Sequence, residues 1–185
     1  PTQGKVQLNP GTKDHPENGY RSKYSHDNEI SEANYYSVKL DKHNIKAELT
    51  TSTRVGMHRY TFPSSDQSHL ILDLTSGIYN YEGKNVWTFV RVLNDSTITG
   101  YRQTNGWART RTVYFANKTS KPFKNYGAKY LDKDVQYKGF WRKFDQENNF
   151  PELAAHNIKM HLDFDTKEGE QIGLKVALSP VSMKN

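Results

Sequence analysis

The stretch that decides the fold is YYSVKLDKHNIKAELTTSTRVGMHRYTFPSSDQSHLILDL, residues 35–74. Apolar and polar residues alternate at residues 36–40 and again at residues 45–49, and the polar turn DKHN separates the two runs. Alternation with a period of two on both sides of a short polar turn is typical of two antiparallel strands that bury one face. The stretch therefore predicts a β-hairpin, with an apolar strand at its end.

A mixed strand lies between the hairpin and that apolar strand, at residues 54–63, RVGMHRYTFP. Successive side chains of a strand point to opposite faces, so His58, Tyr60 and Phe62 share one face. Arg59 lies on the other face. Charge and large aromatic rings in one short strand leave two roles open, because the strand either lines a binding site or packs both faces against other elements.

Alternating or apolar strand patterns recur along the rest of the chain, with short polar turns between them. They occur at residues 97–103, 110–117, 158–164 and 172–178. Residues 86–93, VWTFVRVL, are apolar on both faces, which predicts a strand in the middle of the fold that is covered on both sides. In all we expect about nine to eleven strands and almost no helix, the pattern of an all-β, two-sheet antiparallel β-sandwich.

Four other segments give weaker patterns. Residues 6–8 predict a short strand in an opening loop, and residues 21–33 predict a loop or a strand edge. Residues 151–156 predict one helical turn, because proline is favoured at the first position of a helix. Residues 121–149 predict extended loops and short edge strands. The aromatic residues of that last region include Tyr137, Phe140, Trp141 and Phe144.

A chain of 185 residues is long enough for one domain with a sizeable core, so we expect residues 1–185 to form a single domain. Lys and Arg outnumber Asp and Glu by 26 to 20, but the basic residues are scattered, which argues against a nucleic-acid partner. No apolar stretch approaches the roughly 20 residues of a membrane span, and no signal-like segment precedes the first strand. The absence of cysteine excludes disulfides, thiolate metal sites and a cysteine nucleophile.

The carboxylates give no sign of a catalytic pair. Asp163 and Asp165 are expected on the solvent face of an alternating strand, and Glu168 and Glu170 in the turn that follows. Glycoside hydrolysis requires two carboxyl groups that face each other across a sugar, and the spacing picks out no such pair. A phosphate-binding loop, a His-x-x-x-His pair and a Gly-x-Ser-x-Gly elbow are also absent. We therefore expect neither a catalytic residue nor a metal ligand in this chain.

Two groups of residues are candidates for substrate binding. Trp107 follows a loop tip beside Arg102 and Gln103, and a flat ring with hydrogen-bonding neighbours suits the C–H surfaces and hydroxyls of a sugar. His26 and Glu29 lie in the cluster SHDNE and would present an imidazole and a carboxylate at the edge of the domain. Each group has a structural alternative: a tryptophan that packs in the core, and a turn whose side chains cap their own backbone.

Several motifs, spread over most of the chain, carry a family resemblance. They are SHDNEISEANYYSV at 25–38, IKAELT at 45–50, RVGMHRYTFP at 54–63, GWA at 106–108, VYF at 113–115, KPF at 121–123 and LSPVS at 178–182. In this order they resemble the amino-terminal domain of glycoside hydrolase family 92, the bacterial exo-acting α-mannosidases. The family usually has Pro-Gly where this chain has Ala33 and Asn34, and the family's loop rich in Gly, Ser and His ahead of Ser25 is missing here.

The resemblance implies a galactose-mutarotase-like supersandwich that packs, in the whole enzyme, against an (α/α)6 catalytic barrel absent from residues 1–185. It implies calcium-dependent, inverting hydrolysis of terminal α-mannosides by an α-1,2-mannosidase whose barrel supplies the acid, the base and most calcium ligands. This chain would form one wall of the active site, and alone it would have no activity and hold no calcium. The implied partners are α-mannoside glycans and the carboxy-terminal catalytic domain. The implied location is the bacterial periplasm, the cell surface or the secreted fraction.

Two other functions remain open from the sequence. A stand-alone carbohydrate-binding sandwich would bind glycans without an enzymatic partner, and a structural sandwich would bind no ligand. The family resemblance implies that His58, Arg59 and Tyr60 shape the sandwich and its interface. Contact with a glycan then falls to residues 25–29 and 102–107.

Overall fold

The structure is a computed structural model that describes residues 1–77, 79, 81–130, 133–134 and 151–184. In these residues the chain forms fourteen β-strands and three short 3₁₀ helices, and no α-helix. The prediction of an all-β chain is therefore confirmed. The strands outnumber the roughly nine to eleven predicted because short edge strands, which have weak sequence patterns, extend both sheets.

The strands are β1 (Thr2–Gln3), β2 (Glu29–Glu32), β3 (Tyr35–Leu40), β4 (Ile45–Thr51), β5 (Val55–Phe62), β6 (Ser65–Asp73), β7 (Asn85–Asn94), β8 (Thr97–Thr104), β9 (Arg111–Thr119), β10 (Asn125–Tyr130), β11 (Lys133–Asp134), β12 (Glu152–Ala155), β13 (Ile158–Thr166) and β14 (Glu170–Ser179). The 3₁₀ helices are Pro16–Asn18, His26–Asn28 and Asp41–His43.

Two sheets contain all of these strands. The smaller has five strands in the order β1-β6-β13-β10-β11, and the larger has nine in the order β12-β7-β8-β9-β14-β5-β4-β3-β2. Neighbouring strands are antiparallel throughout, and one cluster of buried apolar side chains joins the two sheets. The predicted two-sheet antiparallel sandwich is thus confirmed.

The most deeply buried strand of the smaller sheet is β13. Its inward residues Ile158, Met160, Leu162 and Phe164 are at most 4% exposed, as their alternation predicts. Burial of a side chain of this size stabilises a fold by about 1.5–3 kcal/mol. The inward faces of β13 and of the nine-stranded sheet therefore supply the main apolar contact that holds the sandwich together.

The predicted hairpin is formed by β3 and β4. Val38 pairs with Ala47 and Leu40 with Ile45, and all four are buried or half-buried. The turn ends at Asn44, whose φ of 51° lies in the left-handed region. Asparagine tolerates that region better than most residues, so the turn chemistry agrees with the strand pattern.

Strand β5 packs on both faces. Tyr60 and Phe62 point into the core, whereas the Arg59 guanidinium on the outer face binds Glu48 through two hydrogen bonds, of 2.8 and 2.7 Å. Tyr35 donates a third hydrogen bond to Glu48, at 2.8 Å. The Arg59 hydrogen bonds lower the pKa of the buried Glu48 carboxyl to about 2. Of the two roles that the sequence left open for this strand, packing is the one that these contacts support.

The prediction of a helical turn at residues 151–156 is wrong. These residues include β12, which pairs with β7 and adds the ion pair between Arg91 Nε and Glu152 Oε1, 2.6 Å apart. The edge of β7 would otherwise leave backbone donors and acceptors without partners, and that requirement outweighs the local preference of Pro151 for a helix start.

The prediction that residues 86–93 are covered on both faces is also wrong. Val90 and Val92 are buried in the core, but Trp87 and Leu93 on the outer face are 37% and 55% exposed. Only the inward residues meet the second sheet, because a two-layer sandwich covers each sheet on one face. The apolar outer residues of β7 are therefore a surface feature.

Asp163 contradicts the prediction of a solvent-facing carboxylate, since it is only 8% exposed. His69, directly opposite on β6, covers it and binds it. Asp165, expected on the same solvent face, is exposed as predicted.

Several weaker predictions have mixed outcomes. Residues 6–8 form no strand, and β1 lies nearer the start of the chain instead. Residues 21–33 contain a 3₁₀ helix and the edge strand β2, in line with the prediction. Within 121–149, β11 is the predicted kind of short edge strand, whereas β10 lies inside the sheet between β13 and β11. The aromatic residues predicted in loops there lie outside the described residues: Tyr137, Phe140, Trp141 and Phe144.

Candidate functional site

The loop between β8 and β9 presents Trp107 to solvent. The relative exposure of Trp107 is 110%, which excludes the alternative of a core tryptophan. The loop itself is pinned, because Asn105 N donates to Lys84 O at 2.8 Å and Tyr81 Oη donates to Asn105 O at 2.9 Å. The indole is therefore a flat apolar surface in a fixed position, where a ligand can pack against it.

Arg102 and Gln103 lie on opposite faces of β8, because they are neighbours in a strand. The Arg102 guanidinium turns away from the outer face and donates to Asn85 Oδ1 at 2.8 Å, to Thr75 O at 3.3 Å and to Ser76 O. Burial lowers the pKa of Arg102, against the opposing charge of Asp73. Arg102 therefore positions the segment that follows β6.

Gln103 lies on the outer face and donates to Thr112 Oγ1 of β9 at 3.3 Å. The same face carries a strip of aromatic rings, in which Phe89 stacks on Tyr101 at 5.6 Å between centroids and Tyr101 meets Tyr114 edge-on at 5.7 Å. Together with Trp87 these three rings define the aromatic strip. The sequence analysis did not predict the strip, because its rings come from three different strands. The period-two patterns of β8 and β9 were the signal that could have shown that the rings of these strands share a face.

The second candidate group lies at the opposite edge of the nine-stranded sheet. His26 Nδ1 lies 2.5 Å from Glu29 Oε2, and Tyr36 Oη lies 2.5 Å from the other carboxylate oxygen, Oε1. These hydrogen bonds, first from Tyr36 and then from His26, lower the pKa of Glu29, while Glu29 raises the pKa of Tyr36 to about 12. The His26 side chain is 85% exposed, whereas that of Glu29 is 19% exposed. Glu29 thus holds the imidazole at the surface.

The capping alternative for this segment is also realised. Ser25 Oγ accepts a hydrogen bond from Asp27 N at 3.2 Å, at the start of the 3₁₀ helix. Capping fixes the backbone that carries His26, so the two interpretations of the segment are compatible.

A cavity of about 490 Å³ opens beside this helix. Its lining combines backbone with carboxylate, amide and ammonium side chains from strands far apart in sequence, which is why sequence reasoning did not predict it. The polar side chains that line it include Asp27, Asn28, Lys39, Lys46, Thr61 and Glu168. Such groups can donate to and accept from sugar hydroxyls.

The two candidate groups do not form one site. Trp107 adjoins β8 and His26 adjoins β2, and six strand intervals separate those strands in the sheet. At about 4.8 Å per interval the separation along the sheet is roughly 29 Å, several times the width of a sugar ring. A single terminal sugar therefore contacts at most one of the groups.

Comparison with known proteins decides the family. The model of the glycosyl hydrolase family 92 N-terminal domain matches residues 1–179. This chain belongs to glycoside hydrolase family 92. The recognition of the family from its motifs is confirmed, and the chain is the family's amino-terminal domain.

Solved structures of family 92 proteins share the fold of this chain. The GH92 α-mannosidase BT3965 from Bacteroides thetaiotaomicron, solved in complex with mannoimidazole, has 37% sequence identity and a TM-score of 0.89, and the match covers 100% of this chain and 23% of that one. The inverting GH92 mannosidase BT2199 from Bacteroides thetaiotaomicron VPI-5482 has 20% identity and a TM-score of 0.68, over 88% of this chain and 20% of its own. This chain thus spans about a quarter of the length of these family 92 proteins or less. No curated protein matches it.

Calcium, which the family resemblance implies, can be compared with one group of side chains among the described residues. The group of His, Asp or Glu side chains whose ligand atoms converge there consists of His69, His161 and Asp163. Calcium takes six to eight oxygen ligands, and two imidazoles with one carboxylate do not fit that requirement. The described residues also form no helix long and apolar enough to cross a membrane.

Proposed function

We propose that this domain forms one wall of the active site in a family 92 α-mannosidase that hydrolyses terminal α-1,2-linked mannosides with inversion. The observation that carries the proposal is the match over the whole chain, at 37% identity, to an α-mannosidase solved with mannoimidazole. The acid and the base belong to the carboxy-terminal catalytic domain, an (α/α)6 barrel, which is the partner of this domain. The whole enzyme acts in the bacterial periplasm, at the cell surface or outside the cell.

The Trp107 loop is the part of this wall that contacts the glycan. The indole is fully exposed, so a sugar that covers it displaces no packed neighbour. The ring offers a flat apolar face to the C–H surface of that sugar. Gln103, on the outer face of the adjoining strand, supplies an amide that can bond to a hydroxyl. Arg102 supports this contact indirectly, because its hydrogen bonds hold the neighbouring segment in place.

His26 and Glu29 form a second contact with the glycan chain, at a more distant sugar. Their separation from Trp107, roughly 29 Å along the sheet, requires a different sugar residue or branch. The adjacent cavity of about 490 Å³ has the size for such a residue, and the polar side chains in its lining can bond to hydroxyls.

The calcium of the whole enzyme is held by the catalytic domain. This assignment rests on the donor set described above, in which the converging ligands of this domain are mainly imidazoles. No group of this chain takes part in the chemical step, and the part of this domain is to bind and orient the glycan.

The test is hydrolysis of α-1,2-mannobiose by the full-length protein with calcium, followed by proton NMR. We expect release of mannose that appears first as the β anomer, and no release from the matched control substrate, β-1,4-mannobiose. Retention on an α-mannan column without hydrolysis would contradict the proposal and support a stand-alone carbohydrate-binding function instead. Failure both to hydrolyse and to bind would support a purely structural domain.

A further inference from the structure

A third group of polar side chains lies on the five-stranded sheet, away from both sugar-binding candidates. His69 of β6 stands directly opposite Asp163 of β13, and His161 lies two residues from Asp163 on the same face of the sheet. The Nδ1 atoms of both imidazoles are 2.7 Å from one oxygen of Asp163, Oδ1. His69 and Asp163 are buried, whereas the His161 side chain is 19% exposed and gives solvent access to the group.

The contacts of His69 require a proton or a metal ion beside the Asp163 carboxyl. Its Nε2 lies 2.7 Å from the carbonyl oxygen of Gly4, which can only accept, so Nε2 carries a hydrogen. A neutral ring would then direct the lone pair of Nδ1 at the Asp163 carboxylate, which is repulsive. A proton or a metal ion must therefore lie between His69 Nδ1 and the Asp163 carboxyl.

We propose that His69, His161 and Asp163 bind a divalent transition metal of the zinc type. Imidazole nitrogen and carboxylate oxygen are the usual ligands of zinc, at about 2.0–2.2 Å. The three ligand atoms lie within 4.8 Å of one another. Tetrahedral ligands at those bond lengths stand roughly 3.3 Å apart, so the side chains need to open by only about 0.6 Å. The hydrogen bond from His69 Nε2 to Gly4 is the outer-shell contact that ligating histidines commonly make.

Two features of the surrounding sheet fit a metal ion at this place. A Cβ atom on Gly127 would lie 2.4 Å from His161 Nε2, so the glycine leaves room for the ring to cross β10 and turn Nδ1 toward Asp163. Thr2 of β1 stands opposite His69, and its buried Oγ1 has no hydrogen-bond partner. A water molecule in the fourth coordination position would supply that partner. The metal ties β6 to β13 and acts structurally, apart from glycan binding.

The test uses the full-length protein after treatment with EDTA, in excess calcium so that any calcium site is filled. Titration with Co²⁺ should give visible d–d absorption that saturates at one equivalent, and Zn²⁺ should bleach it and raise the melting temperature. His161→Gln keeps an N–H donor for Asp163, and Asp163→Asn keeps an acceptor, so both preserve the hydrogen bonding of the fold. Each should weaken Zn²⁺ binding by at least about 10–100-fold, the loss seen for mere outer-shell partners.

The matched control is His156→Gln, a histidine next to the edge of the other sheet, which should leave Zn²⁺ affinity unchanged. Absence of Co²⁺ absorption in the wild-type protein would overturn the proposal and indicate that a proton, not a metal ion, lies between His69 and Asp163. Unaltered Zn²⁺ affinity in both ligand variants would also overturn it. The wild-type titration alone decides the question if a variant fails to fold, and neither result bears on mannosidase activity.

Discussion

The sequence makes the Trp107 loop and the His26 segment similar candidates for a sugar site, but their side chains differ in how many contacts they make within the domain. Trp107 is exposed over its whole surface. Glu29 accepts hydrogen bonds on both of its oxygens, from His26 and from Tyr36, and Ser25 caps the same turn. The first region exposes its main group completely, whereas the second uses most of its groups to hold one imidazole in place.

This difference indicates how each region can be tested. Removal of an exposed ring changes what the domain can bind and leaves the fold intact, because surface substitutions away from packed features usually change stability by under about 0.5 kcal/mol. Removal of a side chain in a hydrogen-bonded network changes the network first and binding only afterwards. Contact with a glycan and support of a contact are therefore separable by comparing activity with stability.

The largest effect is expected from Trp107→Ala in the full-length protein. Loss of a buried tryptophan contact at an interface typically costs about 2 kcal/mol, so kcat/KM for an α-mannoside should fall roughly 30-fold. The melting temperature should not change. Trp107→Phe is the matched control, because it keeps a ring face and should retain most of the activity. Equal activity of Trp107→Ala and wild type would remove the proposed distinction between the two regions.

Arg102→Ala should lower stability more than any change in the Trp107 loop. It deletes the hydrogen bonds to Asn85, Thr75 and Ser76, and charge-assisted bonds of this kind are worth about 2 kcal/mol. Urea unfolding of Arg102→Ala should show a lower midpoint than wild type. Arg111→Ala, which changes an exposed arginine of β9, is the control and should leave the midpoint unchanged. A loss of activity by Arg102→Ala without any loss of stability would assign Arg102 to glycan contact instead of support.

Glu29→Gln should alter the His26 segment through Tyr36. The pKa of Tyr36 is raised to about 12 chiefly by its hydrogen bond to the Glu29 carboxylate, so a neutral amide should return it toward the ordinary value of 10.0. NMR titration of the labelled tyrosine Cζ carbons measures this shift. Glu32→Gln, an exposed change on the same strand, is the control and should leave Tyr36 unaffected. No change in the Tyr36 titration would mean that Glu29 does not hold the segment.

The smallest effect is a difference in acid response between the two regions. The pKa of Glu29 lies below its ordinary value of 4.5, so its stabilising contribution is present above pH 4.5 and is lost as the pH falls through its folded-state pKa. Residues 104–112 contain no carboxylate. In NMR spectra recorded on acidification, the amide chemical shifts of residues 26–29 should change first, and those of the residues around Trp107 should remain constant. Simultaneous movement of both sets would show that the regions are coupled.

The strands that bury one face were predictable because burial leaves a period of two in the sequence. β3, β4 and β13 follow that rule residue by residue, and the turn at Asn44 agrees with it. β12 was missed because what decides it is the unpaired edge of β7, roughly sixty residues earlier in the chain, and no local pattern reports such a need.

The contacts of the candidate site were harder to predict than the strands. Asp163 was placed on the solvent face by its alternation, but His69, 94 residues away, covers it. The guanidinium of Arg102 is a chemical group suited to sugar binding. Only the fold reveals that it already donates hydrogen bonds to Asn85 and to the segment after β6. The sequence of one chain shows which face a side chain takes, and the partner that meets it there depends on strand order.

Whether Trp107 contacts the glycan is tested by the structure of the full-length protein with mannoimidazole bound. We expect the Trp107 ring within about 4 Å of the inhibitor or of a sugar extending from it, with the His26 segment remote from that first sugar. An inhibitor that contacts His26 or Glu29 while Trp107 remains exposed to solvent would exclude Trp107 as the contact.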